Sequence, residues 1–165
     1  MDQRQIDSLI DERLPTLRIV SMAFVGSVLF YIGLCGLLLP ALGPEPIMDL
    51  PFPVVAGIAT SQLVVILAGY LLSRSIRAGA ASVATAAATD PGRRAGIYMQ
   101  RYVQSVVVAL AMREFAAVVG LMLSLLTGQI MWVVFLGGAS VISMLVHWPR
   151  RGAVEEWFSQ QGLRS

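Results

Sequence analysis

Long apolar blocks alternate with short polar or proline-rich breaks along the whole sequence. The blocks cover 17–39 (LRIVSMAFVGSVLFYIGLCGLLL), 52–72 (FPVVAGIATSQLVVILAGYLL), 103–126 (VQSVVVALAMREFAAVVGLMLSLL) and 130–148 (IMWVVFLGGASVISMLVHW). Each is close to the ~20 residues that a helix needs to cross a hydrocarbon core of ~30 Å. The pattern predicts an all-α, polytopic membrane protein, a four-transmembrane-helix bundle forming one membrane domain over residues 1–165. Only Thr127, Gly128 and Gln129 separate the last two blocks, so these form a tight helical hairpin.

The segments between blocks carry their own patterns. Pro40, Pro44, Pro46, Pro51 and Pro53 make the first connection stiff and non-helical, a small cap over the ends of the first two spans. The second connection, 73–101, is the longest. Its 78–89 stretch, rich in Ala, Ser and Thr, reads as a short helix. Asp90-Pro91 is a helix-start signal, with Asp as N-cap and Pro in the first turn. A helix running from Pro91 to near Thr127 would be ~55 Å long at 1.5 Å per residue. Its first turns, with Arg93, Arg94 and Arg101, would stand outside the bilayer.

Before the first span, Ile6, Leu9, Ile10 and Leu14 recur at helical spacing among Asp7, Asp11, Glu12 and Arg13. Residues 1–15 therefore read as an amphipathic segment lying on the membrane surface, on a partner, or as an ordinary surface helix. Trp157 and Phe158 beside Glu155 and Glu156 mark a shorter one in the tail, 149–165.

Charge fixes the expected orientation. The chain is 56% hydrophobic and 13% charged, with a mean hydropathy of +0.73, against about 25% charged residues in a soluble domain. Arg4, Arg13 and Arg18 lie at the start of the first span. Arg74, Arg77, Arg93, Arg94 and Arg101 lie between the second and third, and Arg150, Arg151 and Arg164 follow the fourth. The opposite loops hold Glu45 and Asp49 and no basic residue. The positive-inside rule then gives N-in/C-in. Anionic lipid headgroups are the expected partner of these arginines rather than nucleic acid. All 12 basic residues are Arg, which with many Ala and Gly points to a GC-rich bacterial genome and the bacterial cytoplasmic (inner) membrane. The first block lacks a small-residue cleavage pattern and reads as a retained span.

Chemistry is sparse. Cys35 sits alone in an apolar block and reads as a packing residue. One Cys and one His give no metal site, and no cofactor, phosphate loop or nucleophile–base set is evident. The expectation is a non-enzymatic accessory or structural subunit, with a second copy or a membrane complex as partner. A lipid-directed enzyme would instead need a polar cluster at the inner interface from Arg101, His147 and the long inner connection.

The exception is Arg113-Glu114 inside the third block. Glu114 lies ~20 Å from Thr127 at helical rise, well within the hydrocarbon. Ala109, Arg113, Ala116, Gly120 and Ser124 share one side, a small-residue stripe on which another helix packs. Depth alone makes Gln62 and Ser143 the expected polar partners of the pair. Three readings follow: both charges are satisfied by neighbouring helices, Glu114 is a proton or cation site, or Arg113 snorkels to headgroups and only Glu114 is buried.

The run ALAMREFAAVVGLMLSLLTG, 109–128, resembles the carboxylate-bearing helix of the rotary-ATPase proteolipids (subunit c), and is similar to a group of four-span bacterial membrane proteins. In the proteolipids a carboxylate precedes a Gly by six residues, as Glu114 precedes Gly120 here. The resemblance implies proton- or cation-linked transport centred on Glu114. It covers about 20 residues. The first two spans lack the proteolipids' repeated Gly-x-Gly-x-Gly run, and the inner connection is longer than theirs.

Overall fold

The computed structural model describes residues 3–43, 46–87 and 91–161. Pro44, Glu45, Thr89, Asp90 and Arg164, used above for loop stiffness, charge balance and a helix start, lie outside them. Among the described residues the chain forms helices α1 (Gln3–Leu42), α2 (Phe52–Ala78), α3 (Ala80–Ala87), α4 (Pro91–Thr127), α5 (Met131–Val146) and α6 (Arg151–Gln160), and no strand. Three of them, α1, α2 and α4, are each long and apolar enough to cross a membrane. α5 qualifies only together with α6, from which it is bent by 63°.

The helix lengths do not match one another. α1 has 40 residues and α4 has 37, ~60 and ~55 Å at 1.5 Å per residue, nearly twice the thickness of a bilayer core. α5 has 16 residues, ~24 Å, and stops at Val146. Pro149 accounts for that end, because it lacks an amide hydrogen and pushes Trp148 out of helical geometry.

α1 corrects two expectations. From Gln3 onward the amphipathic stretch is not separate from the first span: one helix runs through Pro15, and Pro40, expected in the non-helical connection, falls in its last turn. An interior proline costs about 3 kcal/mol, and burial on both sides of Pro15 offsets that. Ile6, Ile10, Leu14 and Leu17 are all buried, and the chain's own elements cover them. These are Ala80 and Ala84 of α3, Ala95, Tyr98, Met99 and Tyr102 of α4, and Val154, Trp157 and Phe158 of α6. The apolar stripe thus closes a cluster at the arginine-rich end of the bundle.

The opposite end holds both short connections. Met48 N donates to Leu126 O at 3.0 Å, joining the proline loop to the end of α4. Gly128 has φ +69° and Gly43 φ +89°, left-handed values that glycine adopts without strain. Gly128 lets the chain reverse directly after α4. α1 and α4 therefore run toward the proline loop, and α2 and α5 run away from it.

The bundle is organised around α4, which packs against α1, α2, α3 and α5. The approach to α2 is close: a Cβ on Gly69 would lie 2.8 Å from Met112 Cβ. Large apolar side chains point outward on every long helix. Phe30, Val64, Phe115 and Ile142 are each more than half exposed, a surface suited to lipid rather than water.

Ser124 does unusual work at the α4–α5 hairpin. α5 has no side-chain cap of its own, yet Val133 N in its first turn donates to the buried Ser124 Oγ at 2.8 Å. Ser124→Ala leaves that amide buried without an acceptor. The expected cost is about 1–3 kcal/mol, read as a lower midpoint of detergent-induced unfolding. An unchanged midpoint would remove this capping role.

Candidate functional site

Arg113 and Glu114 are consecutive in α4 and point about 100° apart. No Arg113–Glu114 ion pair forms within 4.0 Å among the described residues. Each side chain instead has its own environment.

Glu114 is half-buried and faces α1. Ser27 Oγ donates to Glu114 Oε1 at 2.6 Å, and Tyr31 OH donates to the same oxygen at 3.0 Å. Ser27 Oγ also lies 2.8 Å from Phe24 O, so its single hydrogen is shared between two acceptors. Ser27 and Tyr31 are one helical turn apart, which aims both hydroxyls at one point. Oε2 takes no hydrogen bond from the described residues.

This replaces the expectation of Gln62 or Ser143 as partners of the pair. Sequence depth sets the level of a side chain in the bilayer, but not which helix stands opposite it. α1, rather than α2 or α5, supplies the hydroxyls on the Glu114 side. Gln62 is buried on α2, where its Nε2 donates to Ser61 Oγ at 3.1 Å and its Oε1 has no partner among the described residues. Ser143 O lies 2.9 Å from His147 Nδ1. The α5 residue that reaches the pair is Ser140, whose Oγ donates to Arg113 O at 2.8 Å. Ser27 and Tyr31 carried a readable signal, two hydroxyls at i and i+4 inside an apolar block.

The small-residue stripe lies toward α5. Ala116 and Ser124 are fully buried, and a Cβ on Gly120 would come within 3.0 Å of Leu136 Cβ. Ala109, at the same stripe's other end, meets α2 beside Gly69.

Arg113 lies on the side away from α1. It is only 3% exposed, and its Nε is buried with no hydrogen-bond partner among the described residues. An ionised residue at the centre of a membrane helix costs roughly 2.5–3.5 kcal/mol, so its surroundings matter. It borders a cavity of about 250 Å³ between α2, α4 and the α5–α6 break. Ser73, Arg77, Tyr102, Ser105, His147 and Arg150 line the same space. Arg101, the other cation expected near His147, is not among the lining residues. His147 packs against Tyr70 with ring centroids 5.5 Å apart.

Cys35 is buried, and no cluster of three His, Cys, Asp or Glu suited to a metal occurs among the described residues. The polar interior therefore divides into two parts: a hydroxyl–carboxylate joint between α1 and α4, and a basic cavity between α2, α4 and α5. No protein-family model, curated protein or solved structure matches this chain.

Proposed function

We propose that this chain is a multi-pass protein of the bacterial cytoplasmic membrane, with four spans and its arginine-rich end in the cytoplasm. It serves as a structural or accessory subunit rather than an enzyme. The observation that carries this reading is the joint at Glu114. Ionisable groups at bilayer depth are expensive and are kept where they have a use. Here two hydroxyls of α1 close on one carboxylate oxygen of α4, which fixes the rotation of the two longest helices against each other. The orientation is supported by the arginines. Those at the start of α1, between α2 and α4, and around the α5–α6 break gather at one end of the bundle, as the positive-inside rule requires. The fourth span is the short α5, with Trp148 and Tyr70 at interface level. Lipid covers the exposed apolar faces, and a second copy or a membrane complex is the protein partner.

A second reading, proton- or cation-linked transport at Glu114, is favoured by one detail. Among the described residues Oε2 accepts no hydrogen bond, and Glu114 is half-buried, so one carboxylate oxygen is left open to a proton.

Two measurements separate the readings. Under the structural one, Glu114→Gln keeps an acceptor for both hydroxyls and is tolerated. Glu114→Leu then loses about 1–2 kcal/mol, the scale of two interhelical hydrogen bonds in a membrane. A hydrophobic carboxyl-specific carbodiimide should leave Glu114 unmodified at every pH. Fast, pH-dependent modification of Glu114 would overturn the structural reading in favour of the transport one.

A further inference from the structure

We propose that the cavity at Arg113 holds the phosphate of an anionic phospholipid, with one acyl chain of that lipid lying in the groove between α2 and α5. The proposal rests on the membrane orientation above and not on the part assigned to Glu114.

The cavity contains cations without anions. Arg77, Arg113 and Arg150 all border it, and none has a carboxylate within 4.0 Å among the described residues. Arg113 is the strongest indication, since it is buried and its Nε has no partner among the described residues. The serine hydroxyls are already used: Ser73 Oγ donates to Tyr70 O at 2.8 Å and Ser105 Oγ to Tyr102 O at 2.7 Å. Among the described residues the lining donors left without an acceptor are therefore guanidinium N–H groups, the Tyr102 hydroxyl and the Trp148 indole N–H. A partner for that set must be anionic and rich in oxygen, and guanidinium forks match phosphate with paired hydrogen bonds.

Size and surroundings favour a lipid as the source of the phosphate. At about 250 Å³ the cavity falls below the ~300–1,000 Å³ of pockets that enclose drug-sized ligands, so it accepts a headgroup and not a whole lipid. A second depression, about 320 Å³ and lined by Leu63, Ile66, Leu67, Tyr70 and Ser143, meets the cavity at His147. From Tyr70 to Leu63 it rises ~10 Å along α2, from interface level into the hydrocarbon. That is the course of an acyl chain whose phosphate sits in the cavity, with the long Arg113 side chain reaching up to it from the hydrocarbon side. A soluble phosphate has no use for it. Anionic lipids of the inner leaflet are attracted to basic residues at this level.

The test uses the full chain purified in mild detergent. Native mass spectrometry and thermal unfolding are recorded with phosphatidylglycerol, phosphatidylcholine or inorganic phosphate added. Wild type should retain phosphatidylglycerol and be stabilised by it above phosphatidylcholine, with no effect of inorganic phosphate. Arg113→Gln should bind phosphatidylglycerol about tenfold more weakly, and an Arg77→Gln/Arg150→Gln double variant likewise. Arg74→Gln, an exposed arginine of α2 outside the cavity, should match wild type. If Arg113→Gln does not fold, the double variant carries the comparison. Wild-type binding by the cavity variants overturns the proposal, as does an equal loss in Arg74→Gln, which would mean diffuse attraction to a basic surface. Stabilisation by inorganic phosphate equal to that by lipid overturns the lipid assignment. Labelling of a Ser82→Cys variant from outside intact cells reads the orientation separately, so its failure is distinguishable from failure of the site.

Discussion

Phe158→Ala will detach α6 from the bundle and lower stability by about 3–5 kcal/mol. Phe158 is fully buried. Its ring lies 5.4 Å from that of Trp157, which in turn lies 5.6 Å from both Tyr98 and Tyr102 of α4. The size of the effect follows from where the cluster stands. Inside a bilayer, apolar burial gives little drive for helix association, because lipid tails are as apolar as the side chains. On the proposed membrane placement the arginine-rich end projects beyond the hydrocarbon, so water is the alternative environment there and the full hydrophobic term applies. The polar contacts of α6 are a weak substitute. Arg151 reaches Asp11 and Glu155 at 2.7 Å and Asp7 at 3.7 Å, but its side chain is 46% exposed, and exposed pairs contribute about 0–1 kcal/mol. Phe158→Ala should therefore greatly speed tryptic cleavage after Arg150 and Arg151, and Arg151→Gln should change thermal stability little. A larger loss from Arg151→Gln than from Phe158→Ala would invert this account.

Gly120→Val will force α4 and α5 apart. An added Cβ would meet Leu136 Cβ at 3.0 Å, Trp132 O at 3.1 Å and Val133 Cα at 3.3 Å. Two of these are backbone atoms, so no rotamer change relieves the contact. The same stretch of α5 is pinned by the Val133–Ser124 hydrogen bond. Overpacking by an extra methylene costs about 1–3 kcal/mol, which sets the expectation for Gly120→Ala. Valine should reach or pass the upper end of that range. Gly26 is the control, since nothing lies within 4 Å of its Cβ position, and Gly26→Ala should be neutral. Detergent-unfolding midpoints rank the three variants, and equal midpoints for Gly26→Ala and Gly120→Val would refute the close approach.

The long apolar blocks were enough to read an all-helical chain with several membrane-length helices, because hydropathy over ~20 residues is a local property. The extent of α4 was also legible, from a proline in its first turn and Gly128 just past its end. What the sequence could not supply was the third dimension. The periodic stripe at Ile6, Ile10 and Leu14 shows that a face needs cover, but not that α4 and α6 provide it. Helical rise placed Gln62 and Ser143 near the depth of Glu114, yet the azimuth of α1 brought Ser27 and Tyr31 to the carboxylate instead. The basic cavity was hidden for the same reason. Arg77, Arg113 and Arg150 are far apart in the chain, and only the fold makes them neighbours.

The cluster that joins α1 to α6 has a consequence for biogenesis. Ile6 and Ile10 emerge from the ribosome well before Trp157 and Phe158, which share their cluster and belong to the last of the six described helices. At about 5–20 residues per second, the stripe on α1 waits roughly seven to thirty seconds for α6. During that interval α1 and α2 are already apolar enough to enter a bilayer, while on the proposed placement the stripe stays open to water. The membrane part is thus committed before the aqueous part can close, and a nascent chain stalled before α6 would expose the stripe to chaperones or to a neighbouring copy.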